Sequence, residues 1–388
     1  MKKIYYLCYF DIPEHAAQKR NFVLSAATKS DYIAKSFVKA GYTVEIVSAS
    51  GTTTNQFCPG SVTQLGENLT LRLFDAKPAG NAVQRVLARR FLKKQLKSYL
   101  LTNVTEDDIL LVYHSLGYMD LVKALRSKIN CKICLDVEEI YGDVIGDEKA
   151  KEKELAFFQC ADSYLFPTEL LSQKVNLNGK PEAVIYGTYE NPKSFTPLFD
   201  DGKIHCVYAG VLEPRKGAGT AIAAAEFLPS NYHIHIIGFG RAEDIENIQK
   251  QIAEVSDKTA CTVTFDGKKS GDEYLQFLQS CQIGFATQSA DAAFNATSFP
   301  SKVLSYLSNG LRVVSVRIKA IETSKVADLL YFYDGDSPQA VAEAVLKIVF
   351  SDEYDSREKM KILDADFVRQ ISDIMSTLDS KKNGAQHR

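Results

Sequence analysis

The chain has 388 residues, a length at which two domains are usual and two full cores can be buried. Apolar residues make up 45% and charged residues 24%, as in ordinary globular proteins, and a formal net charge of -2 offers no global attraction to nucleic acid. No apolar stretch reaches the ~20 residues of a membrane span, and the opening MKKIYYLCYF is cut by Asp11 and Pro13, so it reads as a first buried strand rather than a leader.

Strands are predicted at 3–10, 43–48, 70–74, 109–113, 131–136, 163–166 and 182–186, with helices at 30–40, 81–100, 117–128, 148–160 and 168–175 between them. A polar, turn-rich stretch at 187–203 breaks the pattern and reads as a linker. A second series follows, with strands at 204–209, 233–237, 262–265, 282–286, 311–315 and 330–333. Its helices are predicted at 217–227, 241–255, 271–280, 301–308 and 337–348. Alternation of this kind implies an α/β chain with two doubly wound, Rossmann-like domains, whose strand ends face one cleft. The expected boundaries are 1–195, 196–365, and 366–388 for a last helix and a polar tail that frays from Asp379.

Candidate residues occur along the whole chain. Asp11, Glu14 and His15 follow the first strand in a polar loop expected to reach about residue 29, and long loops tend to carry function. The segment 83–100 reads as a basic amphipathic helix. Val83, Leu87, Phe91, Leu92, Leu96 and Leu100 share a face, flanked by arginines and lysines. A packed surface helix is the simpler reading, and peripheral contact with an anionic membrane face is the other. His114 follows the strand at 109–113, and Asp136, Glu138 and Glu139 close the strand at 131–136. Acids at such an end can bind sugar hydroxyls or act as a general base. Cys131 and Cys134 form one Cys-x-x-Cys inside an alternating strand without a second ligand pair. They read as small hydrophobes, and the expected compartment is the cytoplasm.

In the second half, VYAGVLEPRKG at 207–217 is a strand, a tight turn at Gly210, two cations and a glycine opening a helix. Arg215 can grip phosphate oxygens through its fork and Lys216 adds a point charge; each charge-assisted hydrogen bond contributes about 1.5–3 kcal/mol. IIGFG at 236–240 brings Gly238 to a similar turn, but Glu243 stands where a dinucleotide fingerprint has its third glycine. FDGK at 265–268 is another strand-to-loop junction. The run NATSFPSKVLSYLSNGLRVVS at 295–315 reads as a polar loop, a short helix started by Pro300 and capped by Ser298 or Ser301, a stop at Gly310 and a buried strand. A helix start carrying Ser301 and Lys302 is suited to a phosphate or diphosphate. No Walker A loop, nucleophile elbow, zinc helix or paired zinc knuckle is present.

Taken in order, AGVLEPRKG at 209–217, GFG at 238–240 and FPSKVLSYLSNGLRVV at 299–314 resemble the donor half of GT-B glycosyltransferases, above all the family 4-like group. The resemblance covers about 204–350 and is architectural over the first 190 residues. It implies a nucleotide-sugar-binding domain at 196–365, an acceptor-binding domain at 1–195, and metal-independent transfer in which cations and helix starts stabilise the leaving diphosphate. Arg215 and Lys216 match the basic pair at the diphosphate, Ser301 and Lys302 the helix start at the phosphates, and 267–268 the segment at the nucleobase. Glu138 and Glu139 match a catalytic or sugar-contacting position by location only. Many members carry two glutamates separated by seven residues, the second bonded to the ribose. Here the second position is Ser305, with Thr297 eight residues earlier, and a serine cannot clamp two hydroxyls as a carboxylate does.

The implied activity is hexosyl or related transfer from a nucleotide sugar, UDP-linked in preference to GDP-linked, to a glycan or lipid-linked acceptor in surface polysaccharide biosynthesis. The catalytic candidates are Glu138 and Glu139. The donor candidates are Gly210, Arg215, Lys216, Gly238, Lys268, Ser298, Ser301, Lys302 and Ser305. The acceptor candidates are Asp11, His15 and His114. No metal or other cofactor and no nucleic acid partner is expected. Peripheral attachment at the inner membrane face through 83–100 stays open. So do two further readings: a non-catalytic GT-B-like subunit that binds a glycan or partner, and a sugar-nucleotide epimerase.

Overall fold

The computed structural model describes residues 2–290 and 297–385. The chain forms two units: Met1–Thr188 with Ala365–Arg388, and Tyr189–Asp364.

The first unit contains β1 (Lys3–Cys8), α1 (Leu24–Lys39), β2 (Thr43–Ser48), β3 (Ser61–Gly66), β4 (Leu69–Leu73), α2 (Ala82–Asn103), β5 (Ile109–Tyr113), α3 (Met119–Arg126), β6 (Lys132–Asp136), α4 (Tyr141–Ile145), α5 (Glu148–Phe158), β7 (Ser163–Phe166), α6 (Glu169–Val175) and β8 (Glu182–Val184). Its sheet has the order β3-β4-β2-β1-β5-β6-β7-β8. β1, β5 and β6 are almost wholly buried, which is why they read as continuous apolar runs. Every pairing is parallel except that of β3 with β4. β3 is a strand the hydrophobic pattern does not announce. It lies at the edge, alternates between half-buried and exposed, and returns through Asn68 at φ 60.

Two expectations change here. The loop after β1 is shorter than the polar pattern suggests: a 3₁₀ turn spans Pro13–Gln18 and α1 begins at Leu24. Arg20 ties that segment down, donating to the carbonyls of Ser50 and Phe74 at 2.9 Å and of Pro59 at 3.0 Å. In α2 the apolar stripe buries only Leu92, Leu96 and Leu100, while Val83 and Leu87 are 70% and 55% exposed. The first half of that helix therefore carries apolar side chains in the open.

The second unit contains β9 (Ile204–Val211), α7 (Ala218–Ala223), β10 (Tyr232–Phe239), α8 (Ala242–Ser256), β11 (Thr262–Gly267), α9 (Gly271–Gln279), β12 (Ile283–Ala286), α10 (Ser301–Ser308), β13 (Arg312–Val316), α11 (Lys319–Glu322), β14 (Leu330–Tyr333) and α12 (Pro338–Leu346). Its parallel sheet has the order β11-β10-β9-β12-β13-β14. The last helix, α13 (Ser356–Ala385), starts in this unit and ends in the first. Asp379 and the residues up to Ala385 are helical rather than frayed, and 386–388 lie outside the described residues. Phe367, Ile371, Ile374, Met375 and Leu378 recur at helical spacing and are buried, with Phe367 stacked on Tyr32 at 6.0 Å.

Candidate functional site

In an open parallel sheet, ligands bind beyond the carboxyl ends of the strands where the strand order reverses. In the second unit that point lies between β9 and β12. Gly210 at φ 151 and Gly238 at φ 155 are not turns, as the sequence suggested, but paired penultimate residues of β9 and β10. A Cβ on Gly238 would stand 1.8 Å from the Gly210 carbonyl oxygen, and one on Gly210 would stand 2.6 Å from Lys302 Cε. Both positions need glycine for backbone angle, and Gly238 needs it for space as well, since the Lys302 chain can swing away from Gly210 and the Gly210 carbonyl cannot leave Gly238.

Lys302 comes to this point because α10 is locked onto the sheet. The Tyr306 hydroxyl accepts the Ala209 N–H at 2.8 Å and donates to the Phe285 carbonyl at 3.3 Å. The Lys302 ammonium lies 3.6 Å from the Tyr208 ring centroid and donates to the Lys216 carbonyl at 3.4 Å. It forms no ion pair among the described residues. Burial pushes its pKa well down, and the Lys216 charge adds to that. A desolvated cation without a counter-charge favours an anion. Arg215, exposed on the 3₁₀ turn Pro214–Lys216, likewise has no ion-pair partner among the described residues.

The start of α10 differs from the expected arrangement. Pro300 is the residue before the helix, Ser301 is its first residue, and no side chain caps it. The Val303 N–H reaches the Pro300 carbonyl at 3.1 Å, so the start of the helix is held by backbone rather than by a side-chain cap. Ser298 is half-buried in the preceding segment and Ser301 is exposed; Asn295 and Ala296, the first two residues of the run at 295–315, lie outside the described residues. Ser305 is one turn further along, its hydroxyl 3.3 Å from that of Tyr274. Lys268 is exposed beyond β11, 5.8 Å from the Phe239 ring.

In the first unit the acids after β6 form one cluster. Asp136 is buried, accepts the Tyr6 hydroxyl at 2.6 Å, and leaves its other oxygen without a partner. Burial, then the Glu138 charge, pushes its pKa up to about 8. Glu138 pairs with Lys29 of α1 at 2.6 Å. Glu139 is also pushed up, by burial first and by Glu138 second. Asp136 is one of the three acids singled out from the sequence, whereas Lys29 was not a candidate: a lysine over a hundred residues away leaves no local signal. Asp11 and His15 meet at 2.9 Å after β1. His114 belongs elsewhere, buried against Phe157 and Phe158 and 2.5 Å from Glu154, whose carboxylate also accepts the Tyr141 and Gly142 N–H groups.

Among the described residues one group has metal-ligand composition: His205, His233 and His235. It lies at the opposite end of β9 and β10 from Gly210 and Gly238, and its rings already bond Asp201, Asp266, Thr264 and one another.

Comparison with known proteins bears directly on the second unit. Residues 203–350 match the family model described as glycosyl transferases group 1. This unit is a group 1 glycosyltransferase domain. The whole chain also has the GT-B fold of solved structures. An α,α-trehalose 6-phosphate synthase from Burkholderia multivorans has a TM-score of 0.66 at 11% identity, covering 100% of this chain and 98% of that one. A trehalose-6-phosphate protein from E. coli bound with UDP-2-fluoro glucose has a TM-score of 0.66 at 12% identity, with 98% of each chain covered. Anabaena Alr3699/HepE in complex with UDP and glucose has a TM-score of 0.62 at 12% identity, covering 98% of this chain and 100% of that one. No curated protein sequence matches. No helix among the described residues is long and apolar enough to cross a membrane.

Proposed function

We propose that this glycosyltransferase moves a sugar from a nucleotide donor, UDP-linked in preference to GDP-linked, to a hydroxyl of a glycan or lipid-linked acceptor in surface polysaccharide assembly. The observation that carries the proposal is the unpaired Lys302 ammonium beside Gly210 and Lys216 at the switch point of a group 1 domain. The UDP complexes of two structural neighbours support the nucleotide.

In this reading the bond from the anomeric carbon to the diphosphate oxygen breaks and a bond to the acceptor hydroxyl oxygen forms. Arg215, Lys216, Lys302 and the first N–H groups of α10, with Ser298 and Ser301 beside them, take up the diphosphate charge without a divalent ion. Gly210 and Gly238 let the backbone approach the donor, Lys268 stands near the nucleobase, and Ser305 meets one ribose hydroxyl. The acceptor lies in the first unit. Its proton passes to Glu138 or Glu139 or, where configuration is retained, to the leaving phosphate. Eight cysteines without disulfide partners fit a reducing cytoplasm.

UDP is expected to raise the melting temperature of the protein in the presence of EDTA, and Lys302→Ala and Arg215→Ala are expected to abolish most of that rise without unfolding the chain. A protein that responds to neither UDP nor GDP would remove the assignment. The Ser305–Tyr274 contact in place of a carboxylate favours one other reading, a non-catalytic subunit. That subunit would release no UDP from any UDP-sugar.

A further inference from the structure

The His-x-His step at 233–235 puts two imidazoles on one face of β10, and the parallel register sets His205 of β9 beside His233. One ring nitrogen from each of the three lies within 4.8 Å of the others. His205 and His235 are each 2% exposed, while His233 is half-buried and opens the cluster to one side. Phe199 covers another side, stacked on His205 at 4.2 Å and on His235 at 4.8 Å.

The hydrogen bonds around the cluster fix where its protons are. Ionised Asp201 and Asp266 only accept, so His205 Nε2 donates to Asp201 at 2.9 Å and His235 Nδ1 donates to Asp266 at 3.0 Å. The Thr264 hydroxyl gives its proton to Asp266 at 2.8 Å, so it accepts from His233 Nε2 at 3.0 Å. A neutral imidazole has one N–H and one lone pair. All three N–H groups are thus spent on partners outside the set, and three lone pairs are left over. Two of them face each other. The 2.9 Å contact between His205 Nδ1 and His235 Nε2 joins two acceptors, and it needs a cation to bridge it.

The surroundings suit a metal ion in that place. A carboxylate on the far nitrogen of an imidazole orients the ring and raises its basicity toward a metal. Asp201 and Asp266 bring two negative charges near the rings and Lys203, bonded to the Thr262 hydroxyl at 2.9 Å, brings one positive. Nitrogens 2.9 Å apart, each bonded to one ion at ~2.1 Å, meet it at about 90°. That is the angle of square or octahedral coordination, which Ni²⁺ and Cu²⁺ accept. Two such bonds span at most about 4.2 Å, so His233 completes the set by a shift of under about an ångström.

We propose that His205, His233 and His235 bind one divalent transition-metal ion of the imidazole-seeking class, held through His205 Nδ1 and His235 Nε2 and closed by His233. The ion braces the chain at 199–203, where it enters the second unit, against the sheet. It takes no part in transfer: Gly210 lies five residues beyond His205 on β9, about 17 Å away at ~3.3 Å per residue.

Calorimetry on the full chain, free of any affinity tag and stripped of metal with EDTA, tests this with Ni²⁺ and Zn²⁺ against Mg²⁺. One Ni²⁺ or Zn²⁺ per chain is expected to bind and to raise the melting temperature, while Mg²⁺, which takes oxygen ligands, does neither. Asp266→Asn, which reaches the ion only through His235, is expected to weaken binding about tenfold, and His233→Gln at least as much. With Cu²⁺ as the probe, electron paramagnetic resonance is expected to show imidazole nitrogen couplings that His233→Gln reduces. Both variants are expected to keep a cooperative melting transition in EDTA, which separates lost binding from lost fold. No binding of Ni²⁺ or Zn²⁺ would mean that a proton bridges the two rings, and overturns the proposal. An affinity unchanged in both variants would put the ion elsewhere on the chain, and overturns it too.

Discussion

Lys302 and Asp136 are ionisable groups held out of water, each at the carboxyl end of a sheet, and burial drives both toward their neutral forms. Strongly shifted groups beside a charged partner at a sheet end are candidates for a functional site. For Asp136 the effect on stability has a definite sign. A pKa raised from 3.8 to about 8 means that the folded state holds a proton that the unfolded state has released. Its contribution is therefore fully present at acid pH and is lost as pH rises through about 8. Asp136→Asn keeps the shape and removes the titration. It is expected to melt above the unaltered protein at pH above about 8 and to match it near pH 4, while transfer activity falls. Equal melting temperatures at high pH would show that Asp136 is not held protonated.

At the scale of elements, the amino ends of β9 and β10 carry a different chemistry from their carboxyl ends. His205 and His233 are register partners on adjacent strands, and His235 is two residues further on the same face. Burial first, then the neighbouring imidazole of His235, pushes the His233 pKa down to about 4; His205 is lowered by burial, partly offset by Asp201. The unfolded chain binds protons at these rings below about pH 6.5 and the folded chain does not, so stability falls as pH drops from 6.5 toward 4. Asp201 and Asp266 have lowered pKa values and add a further loss at still lower pH. In EDTA the melting temperature is expected to decline across that interval, and His233→Gln to flatten the decline. A slope unchanged by the substitution would assign it to other groups.

The same elements show why part of the candidate site is legible in sequence and part is not. Arg215, Lys216 and Lys302 sit in short runs whose glycines, helix start and cations lie within a few residues of one another. The local requirements of a phosphate site therefore appear as a local pattern. Asp136, by contrast, is coupled to Tyr6 and Lys29 across more than a hundred residues. Such neighbours are set by topology and leave no spacing to read. His114 shows the converse: a histidine after a strand looks exposed in sequence, yet Glu154 and two phenylalanines enclose it.

At the scale of the molecule, α13 joins the two units. Asp355 caps its start by accepting the Glu358 N–H at 2.9 Å, Ser356 donates to the Leu307 carbonyl at 2.8 Å in the second unit, and its later turns lie in the core of the first. Burial of each of the five large apolar side chains from Phe367 to Leu378 stabilises by about 1.5–3 kcal/mol, which together rivals the whole net stability of a typical domain at about 5–15 kcal/mol. A chain ending at Asp364 is expected to lose the calorimetric transition of the first unit and to keep that of the second, together with the UDP response. Two intact transitions would mean that the helix is dispensable.

Because the first unit closes around residues 365–385, it cannot be completed until those residues have been synthesised. The second unit, continuous from Tyr189 to Asp364, is ready before then. Folding during translation thus runs against the usual order in which the amino-terminal domain matures first. The strands of the first unit must wait, incomplete, while the second unit forms behind them, and an interval of that kind is where a chaperone would hold this chain.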